Sequence, residues 1–221
     1  MTQNNVDTRV NFYELILLFS LGSIAGTLIE GIWALITVGT WQYHTALVIG
    51  PFNIIYGFGA VGMALAGAFL RGGILRTFIT LSLVGAGIEY LGSLFQERFF
   101  LSRSWDYSAQ IANIEGRISL LSSLAWGALG VIFLRLILPL ILRFFRRISR
   151  TRVKIFAIFI AIFLTLDGIL TVLALSRWQE RRAREAADGA FDAFLDEAFP
   201  NPKMRKIFST YVFIPKNSGD S

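Results

Sequence analysis

Residues 153–175 read VKIFAIFIAIFLTLDGILTVLAL, an apolar run interrupted only by Lys154 at its edge and Asp167 near its middle. About 20 such residues are what an α-helix needs to cross a bilayer. Hydrocarbon offers the backbone no hydrogen-bond partners, so a run of this length and apolarity folds as a helix that satisfies its own amides. Residues 11–38, 45–70, 74–95 and 118–142 have the same character. The chain therefore reads as an all-α polytopic membrane bundle of about five helices. The short alternating segments of a membrane β-barrel are missing.

Composition agrees. Of 221 residues, 54% are hydrophobic and only 16% charged, against about a quarter charged in ordinary soluble domains. There is too little polar surface to coat this much apolar material in water, so a lipid bilayer is the expected solvent. The net charge of +6 comes from arginines gathered between apolar runs, chiefly Arg143, Arg146, Arg147, Arg150 and Arg152 with Lys154. That placement suits loops beside anionic lipid and argues against nucleic acid as a partner. With no cysteine and the single histidine His44, thiol chemistry is excluded and neither a metal site nor another cofactor is expected. Residues 1–10 are polar and lack the features of a cleaved signal, so the first helix is expected to act as its own insertion signal.

The basic loop sets the expected orientation, with the N-terminus inside together with Arg9, Arg71 and Arg76. The tail arginines Arg177, Arg181, Arg182 and Arg184 argue the other way unless a sixth span or a re-entrant segment brings the tail inside. Residues 1–176 form the expected helical domain. Residues 177–221 form an amphipathic tail, in which Phe191, Phe194, Leu195 and Phe199 recur at helical spacing before Pro200 and Pro202. Its apolar stripe is expected to lie on the membrane or pack on a partner. Residues 216–221 read as disordered. The window 45–70 is irregular: Gly50, Pro51 and Asn53 near its start suggest a re-entrant or broken helix, tolerable where protein or water covers it.

Two hairpins share an order of residues. Gly26, Glu30, Trp41-Gln42-Tyr43, Gly50 and Tyr56-Gly57 are followed in the second by Gly85, Glu89, Trp105-Asp106-Tyr107, Gly116 and Trp126-Gly127. The spacings differ, so the repeat is weak, and internal repeats are common in transporters. Gly22, Gly26 and Glu30 share one helix face, as do Gly85, Glu89 and Ser93, with Glu97 continuing it. Small residues admit a neighbouring helix, so these carboxylates are expected to face protein rather than lipid. A charged acid at the bilayer centre costs about 2.5–3.5 kcal/mol on insertion scales. Arg98, Arg103 and Arg117 are candidate ion partners, and Asn53, Tyr56 and Asn113 candidate donors. The acids then either form a polar site for a cation, a proton or a polar substrate, or a structural network. Asp167 stands apart; Arg135, inside a span, either pairs with it or snorkels. His44 is expected at the outer edge, solvated. The loop aromatics serve either as interfacial anchors or as part of the site. No phosphate loop, zinc-protease motif or nucleophile elbow is present, and Gly57–Gly62 matches a dinucleotide motif only by letter. No catalytic residue is assigned, and the chain is not expected to be an enzyme.

Gly50-Pro51-Phe52, Ile55-Tyr56-Gly57-Phe58-Gly59, Ile88-Glu89-Tyr90, Trp105-Asp106-Tyr107-Ser108, Asn113, Gly116 and Trp126-Gly127 resemble the ABC-transporter type IV permease family of bacterial membrane proteins. The resemblance runs from about residue 21 to 142. It implies a multi-pass permease-like component of an inner-membrane transport system, working with a separate ABC ATPase. Five spans would have to dimerise to enclose a pathway, so a homo-oligomer is expected. Glu30, Glu89 and Glu97 fall on the family's acidic positions. Asn53, Tyr56, Trp105, Asp106, Tyr107, Asn113 and Arg117 are expected to complete a substrate-binding site with them. Two departures stand out: His44, Thr45, Ala46 and Leu47 replace an Asn-Arg-Gly-Phe-like run, and Ile54 replaces a proline. The first removes an arginine from the loop facing Glu30. The alternatives are a non-transporting scaffold or regulator with structural acids, and an ion-coupled carrier.

Overall fold

A computed structural model describes residues 10–70 and 72–214. Arg9 and Arg71 of the expected inner side and residues 216–221 of the tail lie outside the described residues. Helix α1 (Phe12–Val38) begins at Asn11, whose side chain accepts from the Tyr13 and Glu14 amides while the Glu14 carboxylate accepts from the Asn11 amide. This reciprocal cap satisfies donors that the first turn leaves free. Gly39, in the left-handed region at φ 78°, ends the helix. Then follow α2 (Ile54–Phe69), α3 (Ile74–Phe100), strand β1 (Ser102–Arg103) and α4 (Leu120–Ile132). A π-helical turn at Phe133–Ile137 joins α4 to α5 (Leu138–Arg147). The last elements are α6 (Arg150–Arg182), α7 (Ala190–Ala198), α8 (Asn201–Ile207) and β2 (Val212–Phe213).

Four rods are long and apolar enough to cross a membrane: Phe12–Val38, Ile74–Phe100, Leu120–Arg147 and Arg150–Arg182. Between 22% and 39% of their most apolar stretches is buried inside the protein, so most of that surface is left for lipid. In the third rod Pro139 can neither donate to the carbonyl four residues back nor sit against it without a clash. The π-helical turn just before it widens the ladder at that point.

The window 45–70 does not fold as one helix. α2 has 16 residues, about 24 Å of rise, which is short of the hydrocarbon thickness. Gly50 at φ 80° and Pro51 hold the chain before it out of a helix. The amides of this irregular stretch find partners on other elements. Val48 N donates to Thr171 Oγ1 (2.9 Å), Ile49 N to Asp167 Oδ1 (3.1 Å) and Asn53 N to Ser23 O (3.0 Å), and Thr27 Oγ1 donates to Pro51 O (3.0 Å). These bonds satisfy backbone groups of the broken segment, as a non-helical backbone at membrane depth requires, while Ile49, Gly50 and Pro51 stay exposed. Asp167 is thus engaged with backbone; no ion pair joins it to Arg135 among the described residues, and Arg135 is exposed. Replacing Asp167 by alanine is expected to destabilise the chain by about 1–3 kcal/mol through the orphaned Ile49 amide. Asparagine, which keeps an acceptor there, should be tolerated; thermal unfolding in detergent distinguishes the two.

The hairpin likeness is geometric as well as textual. Phe19, Ser23, Gly26 and Glu30 on α1 stand at the same spacing as Phe78, Ser82, Gly85 and Glu89 on α3. A Cβ on Gly57 of α2 would lie 2.8 Å from Phe19 O, and one on Gly127 of α4 would lie 3.0 Å from Phe78 O, with Ser23 and Ser82 overlapped respectively. Gly26 is covered by the Tyr56 ring and Gly85 by the Trp126 ring. Each hairpin is therefore closed by an aromatic-glycine pair docked into the same four-residue pattern, and each aromatic reaches the acid one turn beyond.

The tail is docked on its own chain. α6 runs on to Arg182, and α7 and α8 fold back along its end. Leu195, Phe199, Met204 and Phe208 are buried against Ala174, Leu175, Trp178 and Val48. The stripe expected to seek lipid or a partner is therefore already covered, except for Phe191 and Phe194, each 55% exposed. Pro200 follows the end of α7, whereas Pro202 lies in the first turn of α8, where its missing amide costs nothing. Arg177, 3% exposed, grips Asp196 with both arms of its guanidinium (2.9 Å each) and also pairs with Glu180 (2.9 Å) and Asp192 (3.7 Å). β2 pairs antiparallel with β1, Ser102 opposite Phe213 and Arg103 opposite Val212. Hydrogen bonds of 3.1 Å run both ways between Tyr43 and Ser209. The tail thus straps the ends of the loops after α1 and α3.

The Arg177 fork, with Arg181 adding to it, holds the Asp196 carboxyl at about 2, below its ordinary 3.8. A depressed carboxylate stabilises the docked form fully above its unfolded value and loses that contribution as pH falls through the folded one. Tail docking is therefore expected to be intact above pH 3.8 and to weaken toward about pH 2. Pepsin cleavage within residues 190–208, compared at each pH with Arg177→Met, reads this. The wild type should be protected at the upper end and match the variant at the lower.

Candidate functional site: a cavity with two carboxylates

Between the two hairpins, α6 and the tail lies a cavity of about 930 Å³. Glu30 enters from α1 and Glu89 from α3. Tyr56 comes from the first turns of α2 and Trp126 from α4, while Trp105 and Tyr107 come from the loop after β1. Tyr56 Oη donates to Glu30 Oε1 at 2.6 Å. Tyr107 Oη donates to Glu89 Oε1 at 3.0 Å and Trp126 Nε1 donates to Glu89 Oε2 at 3.2 Å. The Tyr56 and Trp126 rings pack with centroids 5.0 Å apart, so the closing aromatics of the two hairpins meet between the two acids. Glu89 is buried at 7% exposure, whereas Glu30 is partly open at 29%. Burial and the neighbouring Glu89 carboxylate keep the Tyr107 hydroxyl protonated well above its ordinary range.

Six residues expected in the site from sequence line this cavity: Glu30, Asn53, Tyr56, Glu89, Trp105 and Tyr107. Asn53 also caps α2, accepting from the Ile55 amide. Glu97, Asp106, Asn113 and Arg117 stand outside its lining and build the loop that carries Trp105 and Tyr107. Arg117, 7% exposed, bridges Glu97 and Glu115 at 3.0 Å each and reaches Ser93 at 3.2 Å. Arg103 meets Glu97 at 3.0 Å. The Arg117 carbonyl in turn accepts from Trp105 Nε1 at 2.9 Å. Asp106 accepts from the Ser108 amide (2.8 Å) and hydroxyl (2.5 Å), which lowers its pKa. Asn113 donates to Ser108 O and Gln110 O and accepts from the Gly116 amide. Gly116 sits at φ 67°, where a Cβ would lie 2.6 Å from Asp106 Oδ1. The Trp-Asp-Tyr-Ser run and the following Asn and Gly are thus one folded unit that aims two aromatics inward.

Sequence reading placed His44 in solvent. It is instead a cavity residue with Nδ1 4.0 Å from Glu30 Oε2 and Nε2 buried without a hydrogen-bond partner. Burial lowers its pKa and Glu30 opposes that shift. The loop that lacks the expected arginine therefore still brings a titratable base to Glu30. Ser122, Gln96 and Tyr211 also line the cavity. Ser122 falls one turn before Trp126 on the same helix face. Tyr211 carried no local signal, because its place depends on the tail folding back.

A family model described as Putative ABC-transporter type IV matches residues 17–172. The chain belongs to that family. The ABC-transporter type IV match takes in Glu30, Glu89, both closing aromatics and the loop unit, and stops before the docked tail. No curated protein and no solved structure matches the chain. Membership and the four long apolar helices make this a membrane transporter-like protein. Among the described residues no three His, Cys, Asp or Glu side chains gather as metal ligands.

Proposed function

We propose that the chain is a multi-pass, permease-like component of an ABC transport system in the bacterial inner membrane, and that the cavity between its hairpins is the substrate site. The observation that carries this reading is the convergence of Glu30 and Glu89 on one cavity, each held by the closing aromatic of its own hairpin. Sites at the interface of related repeats are a recurrent transporter design. Buried acids at membrane depth are costly enough to mark function.

The chain itself does no covalent chemistry in this reading. A separate ABC ATPase supplies the work, and the α5–α6 turn with Arg143, Arg146, Arg147, Arg150, Arg152 and Lys154 is the basic surface it docks on. A second copy of the chain completes the pathway. Mild-detergent isolation from native membranes, followed by mass spectrometry, tests this. A stoichiometric ABC ATPase that is lost on reversing the charge of Arg146, Arg147 and Arg150 is the expected result. A clean homo-oligomer with no ATPase would leave the reading without a motor and favour an ion-coupled carrier.

A further inference from the structure

We propose that the cavity takes an organic cation: an amine, quaternary ammonium or phosphonium centre carried on an apolar body of aryl size. The inference rests on the reading of the cavity as the substrate site and adds the chemical class of what enters it.

Charge is the first argument. Among the described residues two carboxylates line the cavity, with His44 beside one of them, and no lysine or arginine does. Arg103 and Arg117, in the loop that carries Trp105 and Tyr107, are committed to Glu97, Asp106 and Glu115, Arg177 to Glu180, Asp192 and Asp196, and Arg98 is exposed outside the lining. An anion entering here would meet two acids without a fixed positive charge. A cation leaving water needs a counter-charge, and the pair supplies one.

The walls are the second argument. Tyr56, Trp105, Tyr107, Trp126 and Tyr211 all contribute to the lining. Aromatic faces attract cations through their quadrupole, most of all quaternary ones that cannot donate hydrogen bonds. Tyr56 and Tyr107 turn their hydroxyls to the acids. Between these residues most of the wall is apolar, with Ile54, Ile55, Val61, Ile88 and Leu129, while Gln96, Ser104 and Ser122 add a few uncharged polar groups. A sugar or a peptide has more polar groups than these few could pair, and would set the rest against apolar wall. The third argument is size: about 930 Å³ falls at the upper end of the roughly 300–1,000 Å³ typical of pockets for drug-sized ligands.

The test uses the full chain in nanodiscs. Tetraphenylphosphonium is titrated against tryptophan fluorescence, with tetraphenylborate as an anion of the same shape and empty nanodiscs as background. Saturable binding of the phosphonium, with the borate giving none above background, is the expected result. Glu30→Gln with Glu89→Gln should weaken phosphonium binding by at least about tenfold. Equal binding of the borate, no saturable binding of the phosphonium, or unchanged affinity in a double variant whose circular dichroism is intact would each overturn the proposal. If the double variant does not fold, the contrast between the two ions on the wild type still decides. An ATPase that co-purifies while the phosphonium fails to bind sinks only the cation class. Phosphonium binding without an ATPase sinks only the ABC motor.

Discussion

Replacing Glu89 by alanine is expected to abolish transport and to destabilise the protein together. Glu89 is 7% exposed and is the acceptor for Tyr107 Oη and Trp126 Nε1. Removing the carboxylate leaves both donors without their acceptor, that of Trp126 in a buried bond and that of Tyr107 in a part-buried one. Each orphaned donor costs about 1–3 kcal/mol. Trp126 also covers Gly85 and packs against Gly59, so its loosening reaches both hairpins. Glu89→Gln separates the two consequences. It keeps the shape and one acceptor oxygen, loses the charge, and sets its amide donors against a hydroxyl or an indole N–H that also donates. Stability should fall by less than for alanine, while transport falls by more than about tenfold, the equivalent of about 1.4 kcal/mol. Thermal unfolding in detergent and uptake into proteoliposomes, measured side by side, check this. Full transport with glutamine would show that the acid is structural.

Gly26→Leu is expected to open the first hairpin. A Cβ at this position would lie 2.6 Å from Tyr56 Cδ2 and closer still to other atoms of that ring. The neighbour is the root of a ring held from three sides: by Gly26, by the Trp126 ring, and by the bond from Tyr56 Oη to Glu30. It cannot swing away as a flexible side chain would. Either α1 and α2 separate or Tyr56 leaves the cavity. Overpacking of this kind costs about 1–3 kcal/mol. The loss falls on transport as well, because Glu30 is left with His44 alone at 4.0 Å. Gly168→Ala is the control: a helical glycine of α6 with nothing within 4 Å of its added Cβ. Its unfolding midpoint should stay within about a degree or rise slightly, since alanine is the better helix former. If Gly26→Leu behaved like the control, the close approach of α1 and α2 would not be what holds Tyr56 in place.

Hydropathy found four of the five expected membrane helices, because lipid leaves a long apolar run no alternative, but it overcounted at residues 45–70, where only the 16-residue α2 forms. It is a local property, so α1, α3, the α4–α5 rod and α6 were legible from single windows. The inward direction of Glu30 and Glu89 was legible too. A glycine one turn before each acid marks the face on which another helix approaches, and the structure puts Tyr56 and Trp126 there. The loop unit from Trp105 to Gly116 was visible as a pattern, but its division of labour was not. Asp106 and Asn113 hold the turn while Trp105 and Tyr107 enter the cavity. Local spacing does not say which side of a loop a side chain leaves from.

Three features were decided only by tertiary structure. The break before α2 was suggested by Gly50 and Pro51. Its partners, Asp167 and Thr171, are more than a hundred positions away on α6, and no local rule joins them. His44 stands in a short polar stretch that reads as solvated. Its place on the cavity wall, 4.0 Å from Glu30 and on the same lining as Tyr211 of the folded-back tail, half-buries it. The amphipathic stripe of α7 announced a surface to be covered but not its occupant, which proved to be the end of α6 in the same chain. Sequence determined which segments are long and apolar enough to cross, except at residues 45–70, and which faces want company. Packing determined which group meets which, because a hydrogen bond or ion pair is specified by both partners' positions, and those exist only once the helices have been brought together.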